Sequence, residues 1–204
     1  KFRNSGQTCI CANRFFVQSK VYEKFVDGFS AAVSKLRVGP GIDPDVSVGP
    51  LIDNRAHQKV QDIVSDAVAR GAKLAVGGNC NSMDGRFFPP TVLTKVTPEM
   101  RLASEEIFGP VAPIFRFESE EQVLRLANQT DFGLASYFYS QDVNRCFRVA
   151  EAIECGMVGI NTGMLSTVVA PFGGVKNSGV GREGGRYGLD EYQELKYICF
   201  GDVH

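Results

Sequence analysis

Apolar positions along this chain alternate between two spacings. Over residues 14–18 the run Arg-Phe-Phe-Val-Gln is short and apolar, which predicts a buried strand. Over 21–36 the apolar residues Val21, Phe25, Phe29, Ala32, Val33 and Leu36 recur mostly at three and four, the spacing of one helix face. Residues 54–70 repeat that pattern with Val60, Ile63, Val64 and Ala67, and Gly71 follows as a stop. Further strands are predicted over 73–76, 91–96, 113–117, 135–140 and 157–160, and further helices over 119–128 and 142–153. The four residues 157–160 are apolar throughout, as in a strand covered on both faces. The stretch from Gly39 and the glycine-rich stretch over 77–86 read as loops. Seven glycines crowd the interval from Gly173 to Gly188, with a short helix predicted over 186–193 and a final strand over 194–200.

Strands that alternate with helices predict an α/β fold: a mostly parallel sheet with helices on both faces. The 204 residues suffice for one domain with a substantial core, and 44% hydrophobic with 22% charged residues is ordinary globular composition. A net charge of −1 gives no broad basic field, so neither nucleic acid nor an anionic membrane is expected as a partner. No apolar run approaches membrane-spanning length. Cys9, Cys11, Cys80, Cys146, Cys155 and Cys199 are too few for a disulfide scaffold of this size, which favours an intracellular, reducing compartment, cytoplasmic or mitochondrial. The chain opens on Lys1 rather than Met, and its first candidate catalytic residue arrives at position 9, so an excised domain is expected.

Chemistry concentrates at the beginning. Cys9 follows Gly6-Gln7-Thr8 in a polar run able to turn sharply and expose a thiol. The plain alternative is a buried apolar cysteine, the common fate of a free thiol. Cys11 lies two residues on, where a strand would place both thiols on one face, close enough for a strained disulfide; it reads equally as a small core residue. Arg3 offers a planar fork for a carboxylate, or is simply a surface cation. The acids of Glu105-Glu106-Ile107-Phe108-Gly109-Pro110 can accept ribose hydroxyls and Phe108 can stack on a flat ring, or the acids are an exposed face. No metal is expected: Cys9-x-Cys11 has no second ligand pair, and His57 and His204 are the only histidines. Gly179-Val180-Gly181-Arg182-Glu183-Gly184 matches G-x-G-x-x-G, but no strand–turn–helix context with a following strand fits the remaining residues, so the glycines are read as turns.

Four motifs, in order, resemble the aldehyde dehydrogenase superfamily: Phe2-Arg3-Asn4-Ser5-Gly6-Gln7-Thr8-Cys9, Glu105 to Pro110, Asn161, and Pro171-Phe172-Gly173-Gly174-Val175-Lys176-Asn177-Ser178-Gly179. The resemblance implies that Cys9 is the nucleophile, attacking an aldehyde to give a thiohemiacetal. Loss of hydride to NAD or NADP and hydrolysis of the resulting thioester then complete the oxidation. It implies Glu106 and Phe108 as cofactor-binding residues and Phe172 as part of the substrate tunnel. It also places the general base and an oxyanion asparagine in an N-terminal half absent here, so the isolated chain is expected to be inactive. Arg3, with Ser166 before the Pro-Phe-Gly-Gly run, is similar to the succinic semialdehyde branch, which implies succinate semialdehyde as substrate and succinate as product. A redox switch between Cys9 and Cys11 is a property of that branch. Residues 1–190 would be the catalytic domain and 191–204 the strand of an oligomerisation sheet, in a homo-oligomer of dimeric or tetrameric form. Glutarate semialdehyde would suit Arg3 equally. Outside this class stand a cysteine hydrolase, which needs His57 or His204 as partner, and a silent domain that serves assembly alone.

Overall fold

The computed structural model describes residues 1–78 and 85–202. Its two compact units are Lys1–Ala127 and Asn128–His204. In the first, strand β1 (Phe15–Gln18) runs parallel to β4 (Val111–Phe117), and β4 runs parallel to β3 (Thr91–Thr94). Strand β2 (Lys73–Val76) pairs antiparallel with β3, so the order is β1-β4-β3-β2.

The period of two in a strand decides what covers this sheet. Val92 and Ile114 point to one face, where they cluster with Val17 and with Tyr22 and Val33 of α1 (Tyr22–Val33). Their neighbours Leu93 and Phe115 point to the other, against Val60, Ile63, Val64 and Ala67 of α2 (Asn54–Ala69). The apolar stripe read in residues 54–70 is therefore the buried face of α2, and helices cover both sides of the sheet. The N-terminus of α2 is capped by Asp53, whose Oδ1 accepts from the Ala56 N–H at 2.7 Å. That bond, and then Arg55 beside it, hold the Asp53 carboxyl below the usual range.

Helix α3 (Glu120–Asn128) leads to the second unit. There β5 (Phe132–Gly133) pairs antiparallel with β8 (Val175–Lys176), and β6 (Ala135–Phe138) runs parallel to β7 (Met157–Ile160) across α4 (Val143–Ala152). Asn161, in the left-handed region at φ 57, extends this ladder: its Oδ1 accepts from the Ser140 N–H at 2.9 Å and its Nδ2 donates to Ser140 O at 2.8 Å.

Several expectations change in detail. The strand read over 91–96 stops at Thr94, since Lys95 turns to φ 55. The one read over 113–117 begins earlier, at Val111. The helix over 186–193 is a 3-10 turn, Arg186–Tyr192. Residues 157–160 are not covered on both faces: Gly159 is buried but Ile160 is exposed, because a two-stranded pair flanked by α4 has little to cover it. Residues 194–200 form no strand, for want of a neighbouring backbone to complete a ladder. Strands β5 and β8, two residues each, gave no periodic signal. Of the loop read over 77–86, residues 79–84 with Cys80 lie outside the described residues, as does His204.

Candidate active site

Three successive residues with positive φ build the start of the loop that carries Cys9: Asn4 at 50°, Ser5 at 57° and Gly6 at 76°. L-residues rarely adopt this region, so surrounding bonds must hold it. Ser5 is buried and its hydroxyl donates to Gly49 O at 2.8 Å. Gln7 accepts from the Ile52 N–H at 2.9 Å and donates to Asn4 O at 3.2 Å, tying the loop to the segment before α2.

Gly6 is required for a second reason. A Cβ there would lie 2.1 Å from Gly109 O, so the loop rests directly on the backbone of the Glu105–Pro110 segment. Gly109 has its own constraint, since a Cβ on it would meet Val60 of α2 at 2.5 Å. Two motifs separated by a hundred residues are thus pressed together through two glycines.

The chain then turns over Thr8–Cys11, with the Cys11 N–H donating to Thr8 O at 3.0 Å. Cys9 sits in this turn and is exposed. Among the described residues nothing accepts from its N–H, leaving that donor available for a developing oxyanion. Cys11 is half-buried, and its sulfur lies 2.6 Å from Thr8 Oγ1. Both thiols are free. The pair therefore occupies a turn, not one face of a strand, because the Thr8–Cys11 hydrogen bond closes the backbone before β1 begins.

The two acids of the second motif are used differently. Glu105 is engaged by Arg101, and Lys59 lies 4.0 Å from it. No described side chain bonds to the carboxylate of Glu106, which is exposed. Burial lowers the Lys1 ammonium to about 8, against the opposing attraction of Cys11 and then Glu106. Phe108 is held at φ 50 with its ring exposed. A free carboxylate and a presented ring, both on a segment braced by α2, suit the ribose and nicotinamide of a dinucleotide.

Arg3 is exposed and pairs with no carboxylate among the described residues. Ser166 and Phe172 belong to the second unit. Ser166 is exposed on a loop, while Phe172 is bridged through its backbone to Glu183 in both directions at 2.7 Å and borders a hollow of about 390 Å³. The first unit therefore brings Arg3, Cys9, Cys11, Glu106 and Phe108 onto two abutting segments. His57 packs edge-on against Phe88, with ring centroids 5.4 Å apart, and has no described hydrogen bond to Cys9. The decoy over 179–184 is followed by a 3-10 turn rather than an α-helix. Among the described residues no group of three or more ligating side chains could hold a metal, and no helix is long and apolar enough to cross a membrane.

A sequence model of the aldehyde dehydrogenase family matches residues 1–198. The chain belongs to the aldehyde dehydrogenase family. It is 56% identical over 203 residues to 3-sulfolactaldehyde dehydrogenase of Pseudomonas putida, covering 100% of the chain and 42% of that protein. It is 53% identical over 203 residues to glutarate-semialdehyde dehydrogenase of Pseudomonas aeruginosa, again covering 100% of the chain and 42% of the relative. The crystal structure of succinate-semialdehyde dehydrogenase from Burkholderia pseudomallei matches with a TM-score of 0.96 at 57% identity, over 98% of this chain and 42% of that one. The chain thus spans about two-fifths of the length of the aldehyde dehydrogenases it matches. The matched aldehyde dehydrogenases include an enzyme named for NADP and a complex with NAD.

Sequence reading missed Asn13 and Lys59. Asn13 Nδ2 donates to Glu105 O at 3.0 Å and its Oδ1 accepts from the Ile107 N–H at 2.9 Å, while Lys59 Nζ donates to Glu106 O at 2.7 Å. Their only sequence signals are an amide directly ahead of β1 and a lysine on the second helix, neither informative without the fold.

Proposed function

We propose that this chain carries the thiol of an aldehyde dehydrogenase that oxidises succinate semialdehyde to succinate. The observation behind this reading is the exposed Cys9 in a turn whose base rests on the Glu106-Phe108 segment. The Cys9 thiolate adds to the aldehyde carbon, and the carbonyl π electrons move to oxygen, where the Cys9 N–H can bond them. NAD or NADP, when bound, would supply the acceptor for the hydride lost from the aldehyde carbon. Glu106 would hold the ribose of that cofactor and Phe108 would pack on its nicotinamide. Water then cleaves the Cys9 thioester, releasing the acid and restoring the thiol.

Arg3, exposed and without an acid partner among the described residues, would bind the distal carboxylate. Ser166 and Phe172 are the second unit's candidates for substrate contact. The names of the relatives favour an anionic aldehyde and keep glutarate semialdehyde as an alternative, because a guanidinium fork accepts either acid. A cysteine hydrolase is disfavoured by the lack of any bond between Cys9 and His57. A Cys9–Cys11 disulfide would block the nucleophile, and two free thiols in one turn support such a switch; full activity after mild oxidation would eliminate it. A homo-oligomer in the cytoplasm or the mitochondrion fits this reading.

The deciding test follows reduced-cofactor absorbance in full-length protein given succinate semialdehyde and NAD(P)+. Cys9→Ala is expected to abolish the signal, whereas retained turnover would refute the thiol mechanism.

A further inference from the structure

Glu106 is held at three neighbouring backbone atoms. The Asn13 amide binds on both sides of it, to Glu105 O and to the Ile107 N–H, and Lys59 binds its own carbonyl. Asn13 lies four residues beyond Cys9 on the same short loop. The amide therefore fixes the second motif against the segment that carries the nucleophile, while Gly6 and Gly109 fix the other end of that contact. Neither carboxamide atom faces the reacting groups; each is spent on backbone. A side chain that engages one segment through both its amide nitrogen and its carbonyl oxygen removes two directions of freedom from it.

We propose that Asn13 is a positioning residue for cofactor capture: it sets the Glu106 carboxylate and the Phe108 ring relative to Cys9. This rests on the assignment of Glu106 and Phe108 to the dinucleotide made under Proposed function. Without the amide, the segment would still be covered by α2 through Lys59 and Gly109, so the protein folds but presents Glu106 in several orientations. Affinity for the dinucleotide falls, because ordering the carboxylate must then accompany binding. The aldehyde and the Cys9 thiol are touched little, because the Thr8–Cys11 turn and the Ser5 and Gln7 bonds do not involve Asn13.

The test uses full-length enzyme with Asn13→Leu, which keeps the γ-branched outline and removes both bonds, and Asn13→Asp, which keeps an acceptor for the Ile107 N–H and loses the donor. Three quantities are read: the dissociation constant for reduced cofactor by fluorescence titration, KM for the aldehyde, and the rate at which iodoacetamide alkylates Cys9 without cofactor. Asn13→Leu is expected to weaken cofactor binding about tenfold, the scale of one net hydrogen bond, with Asn13→Asp between it and the parent. Aldehyde KM and alkylation rate should stay within about twofold, inside the range of ordinary surface substitutions. Unchanged cofactor affinity would overturn the proposal, and so would equal shifts in all three quantities, which a general loosening produces. Should the leucine variant fail to fold, the aspartate variant decides by the same criteria. A Glu106→Gln arm separates the two ideas. If that substitution leaves cofactor affinity intact, the assignment of Glu106 fails; if it weakens binding while the Asn13 variants do not, only the positioning role fails.

Discussion

Arg3 and Gly6 show how differently two residues of one loop constrain the protein. Arg3 has no acid partner among the described residues, so its removal costs the fold little and its effect should fall on substrate. Arg3→Ala is expected to raise KM for succinate semialdehyde roughly tenfold, the scale of a charge-assisted bond to an exposed cation, with little change for uncharged aldehydes. A substrate panel checks this, and equal losses for both kinds of aldehyde would contradict the clamp. Gly6 has no chemistry, yet it permits the contact on which the site depends. Gly6→Ala puts a Cβ at φ 76 and 2.1 Å from Gly109 O. It should destabilise by about 2–4 kcal/mol, combining a left-handed backbone with a forced shift, as read by urea denaturation. The sequence made Cys9 and Arg3 conspicuous by residue type and spacing. It was silent on Asn13, because an amide that bonds only to distant backbone leaves no local pattern.

Among the elements, the long amphipathic helices were the most legible. Residues 54–70 show α2 almost to its ends, since its buried stripe, the Asp53 cap and Gly71 are all local. Short strands were less legible at their ends, which depend on ladders rather than residue type: Asn161 clamps Ser140 beyond β6, and β5 with β8 exists only as a pair. The same lesson governs α3. Its C-terminal carbonyls are satisfied from outside, by Arg14 Nη1 on Leu126 O at 2.7 Å and Nη2 on Ala127 O at 2.9 Å. Arg14 also lies over the Phe16 ring at 5.3 Å, and burial lowers its pKa. Arg14→Ala should cost about 2–3 kcal/mol by leaving two carbonyls unbonded, and Arg14→Lys should recover only part of that, since an ammonium cannot reproduce the fork. Thermal unfolding of the two variants measures both, and full recovery by lysine would show that charge alone matters.

At the scale of the molecule, the exposed tail is the feature least explained by the chain itself. Leu195, Tyr197, Ile198 and Phe200 are largely exposed on a segment without a ladder. Apolar residues left in water on an unpaired segment suit a strand completed by another subunit. Truncation of the full-length protein after Gln193 is therefore expected to lower its oligomeric state in light scattering, and an unchanged mass would remove that role. The sequence by itself determined the α/β alternation, the buried stripes of the helices and the choice of Cys9 as the candidate thiol, because these follow from periodicity, composition and short motifs along the chain. Only the tertiary structure decided that Cys9 is exposed in a turn, that Glu105 is committed to cations while Glu106 is not, and that one asparagine joins their two segments. Those outcomes depend on which remote backbones meet, and packing contacts of that kind leave no trace in residue spacing.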